Sequence, residues 1–163
     1  MKFFARPVSL FLAGFMIAGE IGLVRAEGSV LDFLAAGILT IKSREDLGAL
    51  RETKQGVDAL IRKWKPGVLA IEKLYFAKNK KTGLAVAHAR GVIALSGLER
   101  GLEIREYAPN EVKANLTGYG FADKKAVLKM ARLILCEPRL KIIDDASDAL
   151  GIAIVASRAQ NRA

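Results

Sequence analysis

Glu72 directly ends the unbroken apolar run Val68-Leu69-Ala70-Ile71. A run of this kind reads as a short strand buried on both faces. The carboxyl ends of strands in an open α/β sheet are where ligands bind. A carboxylate there borders low-dielectric surroundings and needs a partner, which a cation can supply; a Glu that merely leaves the strand for solvent is the plainer alternative. Asp145 and Asp148 stand three apart at the start of an apolar helical pattern. Residues at i and i+3 share a helix face, so both can point at one cation, with Asp144 turned away. Helix capping and the macrodipole account for the same acids without a ligand. Converging carboxylates suit metal-assisted phosphodiester hydrolysis, in which two cations about 4 Å apart activate a water and stabilise the leaving oxygen.

The rest of the composition narrows the choice of metal and partner. Cys136 is the single cysteine and His88 the single histidine, so an intrachain disulfide and the Cys-rich or multi-histidine zinc sites are excluded. Any catalytic metal is then held by carboxylates, which suits Mg²⁺, with Mn²⁺ as the alternative. Cys136 falls in an apolar helical stretch and reads as a buried small residue, and His88 as structural. Lys and Arg number 26 against 17 Asp and Glu, a formal charge of +9. That excess favours a polyanionic partner such as nucleic acid, because Lys and Arg near phosphates release condensed counterions. With 163 residues, 52% hydrophobic and 26% charged, the chain suits one packed domain and is too charged for a membrane protein.

These side chains need elements to position them. Ile21–Arg25 and Val30–Thr40 are β-rich runs joined across Gly28, which predicts a hairpin. Ser43 is placed to cap a helix running to Trp64, with Leu47, Leu50, Val57, Leu60 and Ile61 at helical spacing. Lys65-Pro66-Gly67 stops it. After the Val68–Ile71 strand comes a lysine-rich loop, then an Ala/Gly-rich helix over Thr82–Leu98 and a strand over Leu102–Tyr107. Three helices follow, one from Pro109 to near Gly118, one over Ala122–Cys136 and one over Asp144–Ser157. The order predicts a mixed α/β domain with crossover helices.

Four strings in this second half resemble the RuvC-type Holliday junction resolvases: AIEKLYFAKN (Ala70–Asn79), AHARGV (Ala87–Val92), EYAPNEVKANLTGYGFADKKAV (Glu106–Val127) and DDASDALGIAI (Asp144–Ile154). Their order and spacing match the family throughout. The resemblance runs from about Gly22 to Arg158. It implies a ribonuclease-H-like fold, with a mixed β-sheet flanked by helices, and a cytoplasmic homodimer that nicks four-way DNA junctions with Mg²⁺ and works beside a RuvA-RuvB branch-migration complex. Glu72, Asp145 and Asp148 align with three of the family's four metal-binding carboxylates. Lys113 and Lys124 align with basic catalytic or phosphate-contacting residues. Tyr75 aligns with an aromatic that stacks on DNA at the junction centre. Lys73, Lys78, Lys80 and Lys81 form the loop that would track the phosphate backbone.

The first segment departs from that pattern. The family's first strand carries GIDPG, whose Asp is the fourth and central ligand; counting back from Gly22 puts that position at about Ala13, and no Asp or Glu precedes Glu20. Residues 1–20 form an atypical segment, residues 21–158 the nuclease-like domain and residues 159–163 a polar tail. Lys2 and Arg6 before the apolar run Val8–Ala18 also outline a secretory signal peptide. A frameshifted or misplaced start, a non-catalytic junction-binding relative and an exported basic protein are three accounts of this segment, and the first is preferred. The β-branched and aromatic residues of Val8–Ile17 suit a strand in any case.

Overall fold

The computed structural model describes residues 8–15, 20–27, 30–74, 80–142 and 146–160; within those, side chains are described for 20–27, 30–74, 83–142 and 146–159. Val8–Phe15 forms β1, Glu20–Glu27 β2 and Val30–Ile38 β3. Helix α1 (Asp46–Trp64) leads to β4 (Val68–Glu72), α2 (Lys80–Leu98) and β5 (Glu103–Tyr107). Helices α3 (Pro109–Thr117), α4 (Lys124–Ile134) and α5 (Ala146–Gln160) complete the chain. The strands make one sheet in the order β3-β2-β1-β4-β5. β1–β2 and β2–β3 are antiparallel, whereas β4 runs parallel to β1 and β5 parallel to β4. The atypical first segment therefore supplies the central strand of the sheet.

The two faces of the sheet are covered by different helices. On one face Val24, Ala26, Val68 and Ala70 pack with Val112 and Leu116 of α3, Val127 and Ala131 of α4, and Leu150, Ala153 and Ile154 of α5. On the other, Leu23, Leu69 and Ile71 meet Val57 and Ile61 of α1 and Ile93 of α2. Alternation along a strand explains the division, because successive side chains point to opposite faces. Since β4 is buried on both faces from Val68 to Ile71, its sequence shows no alternation at all. Helix α5 lies tight on β2: a Cβ on Gly22 would stand 2.6 Å from the backbone nitrogen of Leu150.

Two expectations require correction. Cys136 is exposed, not buried. The helix expected to contain it ends at Ile134, and Cys136 takes a left-handed φ of 54° in the turn that follows, which carries it out of the apolar face. Helix α1 starts at Asp46, with Glu45 at the N-cap position and no side-chain cap; Ser43 instead accepts a hydrogen bond from the Glu45 N–H at 3.3 Å, one turn-like step too early. His88 is exposed on α2 in the single chain.

Candidate active site

Glu72 is the last residue of β4, and its backbone is fixed from two sides. The Lys73 N–H donates to the Tyr107 carbonyl at 2.8 Å, so the β4–β5 ladder continues past the carboxylate. Arg90, from the ARGV string on α2, donates Nε–H to the Glu72 carbonyl at 3.4 Å and pairs with the Glu106 carboxylate on β5. Arg90 thus ties the helix to the ends of both strands. Its role is positioning, so Arg90→Ala should lower stability by about 1–2 kcal/mol, read as a shifted urea midpoint, while the unfolding slope stays unchanged.

Residue parity sets the direction of Glu72. It shares the face of Val68 and Ala70, the face covered by α5. Asp148 lies in the first turn of α5, half-buried. Lys124 opens α4 because Asp123 caps that helix, its Oδ1 accepting from the Ala126 N–H at 2.7 Å. The Lys124 Nζ then sits 3.5 Å from Asp148 Oδ2. Lys113, on α3, is half-buried and close enough for its charge to act on Glu72.

The electrostatics show how crowded the carboxylates are. Burial first, then the charges of Asp148 and Glu20, push the Glu72 carboxyl up to about 7, against the opposing pull of Lys113. Glu20, at the head of β2, is only 4% exposed. A carboxyl raised in the folded state favours folding while it is protonated. That contribution is complete below about pH 4.5 and is lost as pH rises to about 7. Glu72→Gln should therefore stabilise the metal-free protein at pH 8 by on the order of 1 kcal/mol, after allowance for solvent screening, and leave it unchanged at pH 4. Thermal melts in EDTA at the two pH values read this directly, and equal melting shifts at both would contradict it.

The family model for "Crossover junction endodeoxyribonuclease RuvC" matches residues 13–156. The chain belongs to the RuvC family. A relative from Natranaerobius thermophilus, named crossover junction endodeoxyribonuclease RuvC, is 41% identical over 85% of this chain and 86% of its own length. Another of the same name, from Ruminiclostridium cellulolyticum, is 42% identical over 86% and 85%. Among solved structures, Thermus thermophilus RuvC in complex with a Holliday junction substrate superposes with a TM-score of 0.83 at 21% identity, covering 94% of this chain and 96% of that one. The ribonuclease-H-like fold expected from the sequence is the fold observed.

Of the residues that the RuvC resemblance singles out, the structure brings together Glu72, Asp148, Lys113 and Lys124. Asp145, Tyr75 and Lys78 lie outside the described residues; Lys80 and Lys81 open α2, but their side chains are not among those described. Lys73 is exposed just beyond Glu72. Ala13, near which the resemblance puts the family's first-strand carboxylate, pairs with Gly22 and with Ala70 in the central strand of the sheet. Among the described residues no three acidic, His or Cys side chains are grouped closely enough to hold a metal. Glu72 and Asp148 are hard-oxygen donors in mutual repulsion, and Asp145 immediately precedes Ala146, the first residue of α5. Such a donor set suits a hard divalent cation better than any softer ion. Glu20, which the sequence does not single out, joins these acids; it is the one buried charged residue of β2, where Arg25 and Glu27 are exposed.

Proposed function

We propose that this chain resolves four-way DNA junctions by divalent-cation-dependent phosphodiester hydrolysis. The observation that carries the reading is the meeting of Glu72, from a strand end, with Asp148, from a helix start, beside Lys113 and Lys124, in a chain of the RuvC family. Glu72, Asp145 and Asp148 would hold Mg²⁺, or Mn²⁺ in its place. The bound cation supplies Lewis acidity and an activated water. Lys124 and Lys113 offset charge building on the phosphate oxygens as the water oxygen bonds to phosphorus and the 3′ oxygen leaves with a proton. The products are 5′-phosphate and 3′-hydroxyl ends. Lys73, Lys78, Lys80 and Lys81 follow the backbone phosphates, and Tyr75 stacks at the junction centre.

Helix α2 supports a homodimer. Leu84, His88, Gly91, Leu95 and Leu98 are exposed at heptad-like spacing along it, and the three leucines are 60%, 49% and 62% exposed. A stripe of this kind is a two-helix seam waiting for its partner. A dimer would set two pockets for symmetric nicks in strands of like polarity. Interaction with RuvA-RuvB and a cytoplasmic location follow from the family resemblance. No helix among the described residues is long and apolar enough to cross a membrane. Family membership favours the nuclease over a non-catalytic junction binder.

Gel-shift titration of a synthetic four-way junction against a linear duplex of the same sequence tests the substrate class. The proposal expects at least about tenfold tighter binding to the junction, with affinity falling steeply as salt rises. Equal affinity for both would contradict it.

A further inference from the structure

We infer that Tyr119 and Phe121 form a stacking platform for an unpaired nucleobase of the DNA beside the cutting site. The inference rests on the junction-resolving reading above and adds a contact that reading does not use. Tyr119 is 62% exposed and Phe121 81%, and their ring centroids lie 5.8 Å apart at an interplanar angle of 57°. Large rings normally go inside, so two adjacent rings held in water call for an explanation.

Their exposure is fixed by a well-pinned loop between α3 and α4. Gly118 ends α3 in the left-handed region, at φ 81°, and its N–H donates to the Ala114 carbonyl at 2.9 Å. The Thr117 hydroxyl donates to the Lys113 carbonyl at 2.8 Å, and its oxygen accepts the Tyr119 N–H at 3.1 Å. The Ala122 N–H closes the turn on the Tyr119 carbonyl at 3.1 Å. A Cβ on Gly120 would stand 3.2 Å from the Asn110 carbonyl oxygen, so the loop is seated against the start of α3. The rings project from a backbone with little freedom to fold them back.

The surroundings select the occupant. Phe121 is three residues before Lys124, a span of at most about 11 Å of chain, and the Lys124 Nζ is 3.5 Å from Asp148. Lys125 and Lys129 continue the basic surface along α4, both exposed. Aromatic faces bordered by lysines fit a polyanion that also offers a flat π-face. A nucleic acid with an unstacked base meets both requirements, and an acidic peptide meets only the first. Paired bases inside a duplex present no free face, whereas bases at a branch point can. Stacking is indifferent to base identity, so the platform would hold the strand for cutting without choosing its sequence.

A combined experiment tests this on the full chain. Junction affinity is measured over a salt series for the parent protein and for Tyr119→Ser/Phe121→Ser, and 5-iodouracil in the strands at the exchange point provides a photo-cross-link. The expected result is about tenfold or greater loss of junction affinity in the double variant, an unchanged slope of log affinity against log salt, and a parent cross-link within residues 118–123. Tyr119→Trp/Phe121→Trp should retain parental affinity. The inference is overturned if the serine variant binds as tightly as the parent, or if its loss comes with a changed salt slope. It is equally overturned if light scattering shows that the serine substitutions dissociate a dimer, which would make the rings a protein interface. A parent that binds junction and duplex alike would remove the functional reading itself, and this inference with it.

Discussion

Replacing Ala13 with Asp is expected to raise divalent-dependent cutting of a four-way junction by about 10³-fold or more. The sheet register gives the reason. Ala13 pairs with Gly22 on one side and Ala70 on the other, so it lies in the central strand, two residues short of the level of Glu72. Gly22 and Ala70 face α5, whose first turn carries Asp148. A carboxylate added at this register position would supply negative charge toward neutralising two cations. Without metal the same substitution should cost stability, because it adds a further like charge to Glu72, Asp148 and Glu20, where the Glu72 carboxyl is already pushed up to about 7. Single-turnover nicking on a denaturing gel measures the gain. Equal rates for parent and Ala13→Asp at saturating Mn²⁺ would show that the central carboxylate is not what limits this chain.

Gly22→Ala should destabilise the fold by about 3 kcal/mol or more, a fall in melting temperature of about 6–12 °C. The new methyl would stand 2.6 Å from the Leu150 nitrogen, 2.7 Å from its Cα and 2.8 Å from the Ala149 carbonyl carbon. All three are backbone atoms of a buried helix, so relief means moving α5 off the sheet. That movement would carry Asp148 away from Glu72, and cutting should fall along with stability. Gly37→Ala is the matched control: it lies in the same sheet, on β3, with nothing within 4 Å of the added methyl. A Gly22→Ala protein that melts with its Gly37→Ala counterpart would show that α5 is not seated as described.

Much of the site is legible in the sequence because its residues obey local rules. An apolar run too short for a helix and bounded by Pro66-Gly67 reads as a buried strand, which places Glu72 at a strand end from the sequence alone. Asp148 is legible through the apolar pattern that follows it, which forms α5. Lys113 and Lys124 are different: nothing local marks them, and only the family resemblance points to them. Their place in the pocket depends on how α3 and α4 pack against α5. Glu20 escapes a sequence reading for a related reason, since its proximity to Glu72 arises across the sheet, through β1, and no spacing along the chain encodes it. Cys136 departs from expectation because helical periodicity continues in the sequence beyond the residue at which the backbone turns left-handed. The first segment forms a strand although it lacks the family's motif, because β-branched and aromatic residues suffice for pairing with β2 and β4.

The proposed function requires that Glu72 and Asp148 form the cation-dependent cutting site, separate from the surfaces that grip DNA. Nicking of a labelled four-way junction by the Ala13→Asp protein, with and without Glu72→Gln, at matched junction occupancy, tests it most directly. The expected result is Mn²⁺-dependent cuts that vanish with Glu72→Gln while junction affinity stays within about threefold. Undiminished cutting by the Glu72→Gln protein would contradict it.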